Sequence, residues 1–135
     1  MDNKSISSWV RQARYRAKKY SIYSQLEIED IIDIIEELDG NCAYCDDAMI
    51  EMLDHAFPLK DGAANIPANV LPCCRSCKNK KKNNDLVWMF SRKYIDKKKY
   101  VEIIKEILNR KDGNLMKDHI RIATGIVESP DDLNE

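Results

Sequence analysis

The most informative part of the chain is the segment 42–77, which reads CAYCDDAMIEMLDHAFPLKDGAANIPANVLPCCRSC. It holds all five cysteines of the sequence, and four of them form two C-x-x-C pairs, Cys42 with Cys45 and Cys74 with Cys77. Two intervening residues let both thiolates of a pair lie on one side of a tight turn. Two such pairs complete the tetrahedral four-sulfur site that Zn²⁺ prefers. The sequence therefore predicts one structural zinc bound by these four cysteines, with Cys73 as a buried spare.

Length and composition restrict the class of protein. The chain has 135 residues, is 44% hydrophobic and carries a net charge of −1, which suits one small domain and is too apolar for a disordered chain. No apolar run approaches the roughly 20 residues of a membrane span. Residues 1–8 also lack the apolar segment of a signal peptide. We therefore expect a cytoplasmic protein, in which thiols bind metal in preference to forming disulfides.

The net charge conceals a segregation of charge along the sequence. Residues 1–25 carry six basic side chains and one acidic one, whereas residues 26–56 carry eleven acidic side chains and no Lys or Arg. Residues 57–111 are basic again, with fourteen basic and five acidic side chains, and residues 112–135 have two basic and six acidic ones. Basic blocks of this kind suit contacts with DNA phosphates, although each block alone also fits a solvated helix face. The predicted phosphate contacts are Arg11, Arg14, Arg16, Arg75, Lys78, Lys80, Lys81 and Lys82.

Hydrophobic periodicity predicts helices on both sides of the cysteine-rich segment. A basic helix is expected over residues 9–20, and an acidic one follows a capping box at residues 24–27. A last amphipathic helix is expected to end near residues 112–113. Short strands are predicted at 50–54 and 69–73. We divide the chain into N-terminal helices (1–40), a core with the cysteine pairs (41–95) and a C-terminal helix with a tail (96–135).

The residues between the cysteine pairs carry further motifs. Asp54-His55 is followed by Pro58-Leu59, by the loop Gly62-Ala63-Ala64-Asn65 and by Asn69-Val70-Leu71-Pro72. In this order, over residues 41–83, the motifs resemble the HNH endonuclease family, a branch of the ββα-metal nucleases. The resemblance implies an α+β fold with a small ββα-metal core, a structural zinc and flanking N- and C-terminal helices. The arginine-rich helix and the acidic helix before Cys42 also resemble small phage-type members, so the expected location is a bacterial or phage-infected cell.

The resemblance also implies catalytic roles. His55 would be the general base that activates water, Asp54 would bind a catalytic Mg²⁺ or Mn²⁺, and Asn69 would pin the loop and help to hold the histidine. Neighbours in an extended segment point to opposite sides, which leaves Asp54 free for the cation. In many members Asn or His directly follows the last cysteine, but here Lys78 does. Asn79 is therefore the expected second metal ligand, with Lys82 completing an N-x-x-K spacing and Asn83 as a distant alternative.

The expected function is a metal-dependent endonuclease acting on double-stranded DNA, which leaves 5′-phosphate and 3′-hydroxyl ends. Two alternatives stay open. The first is a zinc-stapled DNA-binding module without catalysis. The second is an interaction subunit of a phage packaging or replication complex, docked through the acidic helix 26–39 and the basic C-terminal helix. A second acid–histidine pair, Asp118-His119, has no such neighbours and is expected on a helix surface.

Overall fold

The computed structural model describes residues 2–124 of the chain, with the side chains of residues 2–120. In this part of the chain six α-helices surround a two-stranded antiparallel sheet, which confirms the predicted α+β class. The predicted tail beyond residue 124 lies outside the described residues. The elements are α1 (Asn3–Lys19), α2 (Ile28–Glu37), β1 (Met52–His55), β2 (Val70–Cys73), α3 (Arg75–Lys81), α4 (Leu86–Ser91), α5 (Lys97–Asn109) and α6 (Lys117–Thr124), with 3₁₀ turns at Leu59–Asp61, Pro67–Asn69 and Gly113–Met116.

The sheet pairs Asp54 with Leu71 and His55 with Val70. Because side chains alternate along a strand, Asp54 and His55 lie on opposite faces, as the sequence predicts. Leu71 belongs to the larger apolar cluster, which includes residues of α4, α5 and α6, whereas Val70 packs with α1 and α2. Asp54 therefore faces the side of the larger apolar cluster, and His55 faces the side of α1 and α2.

The N-terminal half is a pair of helices packed on one face of the sheet. α1 is capped by Asp2, whose carboxylate accepts a hydrogen bond from the Ser5 amide at 2.8 Å. α2 is capped by Glu27, whose amide donates to the Asp30 carboxylate at 2.9 Å, so the cap lies three residues after the predicted one, Ser24. Ser24, the predicted cap, has its partner elsewhere in the fold. The buried face of α1 has helical spacing and consists of Ile6, Val10, Ala13 and Ala17.

The C-terminal half continues beyond the last amphipathic helix that the sequence predicts. The predicted amphipathic helix corresponds to α5, but the chain then turns at Gly113 and continues as α6. Arg110 at the end of α5 donates to the carbonyl oxygen of Val70 at 2.9 Å, which ties the C-terminal half to β2. None of the described helices combines the length and apolar character that a membrane crossing requires.

Candidate functional site

A four-cysteine cluster lies beside the sheet. The sulfur atoms of Cys42, Cys45, Cys74 and Cys77 all lie within 4.8 Å of one another, and those of Cys45 and Cys74 are 3.9 Å apart. A tetrahedron with Zn–S bonds of about 2.3 Å has edges of about 3.8 Å, so the cluster fits the predicted structural Zn²⁺. Cys73 is fully buried and is not a member of the cluster. Four thiolates fill a tetrahedral ion, so a zinc held here would stabilise structure and do no chemistry.

Backbone amides support the cluster. The Cys74 sulfur caps the start of α3 and accepts from the Cys77 amide, and the Cys42 sulfur accepts from the Tyr44 amide, each at 3.4 Å. Hydrogen bonds of this kind favour the thiolate form that binds metal. The cluster joins the loop after α2 to the first turn of α3, which follows β2 in the sequence. It thereby fixes how α3 is rotated about its own axis.

Asp54 is fully enclosed by polar partners. The residue is 1% exposed, and its Oδ1 lies 2.6 Å from Lys78 Nζ while its Oδ2 lies 3.1 Å from Lys81 Nζ. Tyr44 donates its hydroxyl to Oδ2 at 2.5 Å. Lys81 is also 1% exposed and donates to the carbonyl oxygen of His55 at 2.8 Å. Burial alone raises the pKa of Asp54, but the ammonium groups of Lys81 and Lys78 outweigh burial and hold that pKa below its ordinary value.

The expected ligand pair of Asp54 and Asn79 is not brought together. Among the described residues the polar partners of Asp54 are Tyr44, Lys78 and Lys81, and Asn79 is exposed. Successive helical residues are about 100° apart, so Lys78 and Lys81 lie on the face of α3 that carries the cysteines, and Asn79 does not. The alternative ligand Asn83 is exposed as well. An ammonium group has no lone pair for a metal, so the residues around Asp54 do not fit the expected Mg²⁺ or Mn²⁺.

On the other face of β1, His55 is held in one orientation. Its Nε2 lies 2.8 Å from Asn65 Oδ1, and Asn65 Nδ2 donates to Ser24 Oγ at 3.0 Å. Because an amide oxygen only accepts, Nε2 carries the proton and Nδ1 keeps its lone pair. Burial lowers the pKa of His55 to about 4, so the imidazole is neutral at physiological pH.

The resemblance assigns two roles to Asn69, pinning the loop and holding the histidine, but in the structure two asparagines share these roles. Asn69 is fully buried; its Oδ1 accepts from the Phe57 amide at 2.9 Å, and its Nδ2 donates to the carbonyl oxygens of Phe57 and Ala64 at 2.8 and 2.9 Å. These bonds close the loop after β1. The imidazole of His55 is held by Asn65, the last residue of the glycine-containing loop motif. The signal for this role was present in that motif, but nothing in the sequence separates the two asparagines.

A small cleft opens beside His55 between α1 and β1. Its volume is about 160 Å³, and its lining includes Arg16 and Gln12 from α1. The positive charges of Arg16 and Lys78 both act on His55 and contribute to its lowered pKa, after burial. The complete lining is Trp9, Gln12, Ala13, Arg16, Met52, Leu53 and His55.

The structure corrects one of the predicted phosphate contacts. Lys81 is buried against Asp54, so its ammonium group is unavailable to DNA. Arg14 is also engaged, since it donates to the Leu26 carbonyl oxygen at 2.8 Å and pairs with Glu27 at 2.7 Å. Lys78 is half-buried at Asp54. The remaining predicted contacts have exposed side chains: Arg11, Arg16, Arg75, Lys80 and Lys82.

The described residues thus combine a four-cysteine cluster, a two-stranded sheet and an acid–histidine pair on its opposite faces. No family model, curated protein or solved structure matches the chain. The chemistry of the site itself is therefore the basis for assigning a function.

Proposed function

We propose that the chain is a DNA endonuclease of the HNH type, which hydrolyses phosphodiester bonds in the cleft beside His55. One observation carries the proposal. A buried, neutral imidazole has its Nε2 occupied by Asn65, has no partner at Nδ1 among the described residues, and borders a cleft with Arg16. A fixed base beside a cation can activate a water molecule and offset the charge of a phosphodiester.

The expected reaction follows from these groups. Nδ1 of His55 removes a proton from water, and the resulting hydroxide forms a bond to phosphorus. The bond from phosphorus to the 3′-oxygen breaks, and that oxygen takes a proton from solvent to become a hydroxyl. The Arg16 guanidinium offsets the negative charge of the phosphate during the attack. A bound phosphate also offsets the cations that lower the pKa of His55, which raises the pKa towards the range useful for a base.

The distribution of charge supports DNA as the substrate. Arg11 and Arg16 are exposed on α1, the helix that lines the cleft, and Lys80 and Lys82 are exposed near the end of α3. Contacts from such side chains go to phosphates and carry no base information. We therefore expect binding that depends strongly on salt and weakly on sequence.

The test is nicking of supercoiled plasmid by zinc-loaded wild type, His55→Ala and His119→Ala in buffer containing Mg²⁺. The two histidines of the chain make matched variants, since each follows an aspartate and only His55 borders the cleft. We expect His55→Ala to lose at least about a hundredfold in rate, the usual contribution of a general base, and His119→Ala to keep wild-type activity. Equal nicking by all three proteins would refute the proposal.

A second candidate function is supported by the surroundings of Asp54. A carboxylate that is fully paired with two lysines suits a zinc-stapled DNA-binding module without catalysis. Gel-shift binding of a DNA duplex by wild type and His55→Ala, with no nicking by either, would favour this candidate.

A further inference from the structure

The carboxylate of Asp54 has no acceptor position left for another ligand. Oδ1 receives Lys78 at 2.6 Å and Lys81 at 3.4 Å, and Oδ2 receives Lys81 at 3.1 Å and the Tyr44 hydroxyl. With 1% exposure, neither oxygen meets solvent to any useful extent. A divalent cation could approach only by displacing one of the two lysines.

The net charge at Asp54 already equals that of a carboxylate with a bound dication. One carboxylate faces two ammonium groups, which leaves the same net charge of +1 that a carboxylate with one divalent cation would leave. An additional dication would meet two like charges within a few ångströms, and repulsion at that distance is strong in a buried site. Hard cations also require oxygen ligands, and the α3 side chains nearest Asp54 offer nitrogen donors only.

The two lysines differ in how firmly they are held. Lys81 is 1% exposed and is also bound to the His55 carbonyl oxygen, so it has no route to solvent. Lys78 has a side chain that is 30% exposed, and its only described partner is Asp54. Replacing Lys78 should therefore open Asp54 towards solvent while leaving Lys81 and Tyr44 in place.

We propose that the ammonium groups of Lys78 and Lys81 occupy the place of a divalent cation at Asp54, so that the chain works without one. For its activity the inference rests on the proposed endonuclease function. Its physical content, the exclusion of a divalent cation from Asp54, stands apart from any activity. Lys81 joins Asp54 to the main-chain carbonyl oxygen of His55.

The test measures binding of Mn²⁺ by electron paramagnetic resonance, in which bound and free Mn²⁺ give different signals. Four zinc-loaded proteins are compared: wild type, Lys78→Asn, Lys78→Arg and the double variant Asp54→Asn/Lys78→Asn. Lys78→Arg keeps the charge and is the matched control for Lys78→Asn. We expect Lys78→Asn to bind Mn²⁺ at least about tenfold more tightly than the other three, because one repelling charge is removed and an amide oxygen is supplied.

Two results would overturn the inference. One is Mn²⁺ binding by wild type that is as tight as that of Lys78→Asn and is absent from the double variant. The other is a Lys78→Asn protein that keeps its zinc and its circular dichroism spectrum and still gains no binding over Lys78→Arg.

Activity provides a separate readout. Nicking that depends on His55 is measured in buffer freed of divalent cations by a chelating resin, then with Mg²⁺ added. We expect rates that agree within about twofold, whereas a cation-free rate lower by about tenfold or more would contradict the inference. If no protein nicks DNA in either buffer, the endonuclease proposal fails, and the Mn²⁺ measurement still decides whether Asp54 excludes the cation.

Discussion

Replacing Asp54 by Asn should destabilise the protein more than any substitution of an exposed charge. The substitution keeps the size of the side chain but removes the only described carboxylate partner of Lys78 and Lys81, whose nearest contacts with it are 2.6 and 3.1 Å. Lys81 is 1% exposed and cannot recover its hydration. Removing one partner of a buried ion pair costs about 3–5 kcal/mol, a large share of the roughly 5–15 kcal/mol that stabilises a typical domain.

The same substitution at an exposed ion pair is the matched control. Asp46 and Lys99 form an ion pair at 2.6 Å, but the Asp46 side chain is 58% exposed. Water screens this pair, so Asp46→Asn should cost less than about 1 kcal/mol. The measurement is urea unfolding of zinc-saturated protein at neutral pH, followed by circular dichroism, with the free energy taken by linear extrapolation.

A double-mutant cycle separates the ion pair from general damage. Lys81→Met keeps much of the apolar stem and should cost about 3 kcal/mol, because Asp54 then depends on Lys78 alone and the His55 carbonyl loses its donor. Asp54→Asn combined with Lys81→Met should cost about 2 kcal/mol less than the sum of the two single changes. Additive costs, or an Asp54→Asn protein as stable as Asp46→Asn, would show that the buried network contributes nothing specific.

Three further predictions concern the histidine, the zinc and one glycine. Burial holds the pKa of His55 at about 4 against an ordinary 6.5, so the stability that the neutral imidazole contributes is complete above pH 6.5 and is lost between pH 6.5 and 4. On going from neutral pH to pH 5, the unfolding free energy of wild type should fall by about 2 kcal/mol more than that of His55→Gln, and equal losses would contradict the shift. Cys77→Ser should abolish zinc binding measured by atomic absorption and unfold the core, since structural zinc supplies on the order of 10 kcal/mol, whereas Cys73→Ser, outside the cluster, should keep its zinc. Gly113→Ala would place a Cβ 2.3 Å from the Ile107 carbonyl oxygen and should lower stability by about 2 kcal/mol in the same urea assay, whereas wild-type stability would show that this backbone can move.

The fold was predictable because its main determinants are local in sequence. Two C-x-x-C pairs specify a tetrahedral cluster whatever surrounds them, and the apolar spacing of α1 and α5 is visible without any tertiary information. The starts of helices were harder. Ser24 has the ideal chemistry for a helix cap, but its hydroxyl accepts from Asn65, a residue that is distant in sequence and close only in the folded chain.

For the candidate site, the sequence shows which residue types are present but not which side chains contact each other. The opposite orientation of Asp54 and His55 follows from strand geometry alone. The partners of Asp54 depend on which face of α3 meets the sheet, and that is decided by Cys74 and Cys77 in the cluster. A sequence shows the spacing of residues on a helix but not the rotation of the helix against its neighbours.

We expect a shift of one residue in α3 to turn the site beside Asp54 from one filled by ammonium groups into one that binds a divalent cation. Deleting Lys78 would bring Asn79 to the position directly after Cys77, opposite Asp54, and Lys82 to the buried position of Lys81. The family's spacing of Asn and Lys would then stand on the inner face of α3, because a deletion of one residue rotates the C-terminal remainder of the helix by about 100°. The deletion variant should therefore bind Mn²⁺ in the resonance assay as Lys78→Asn does, provided that it keeps its zinc. A zinc-bound deletion variant without Mn²⁺ binding would mean that more than the identity of the side chain beside Asp54 excludes the cation.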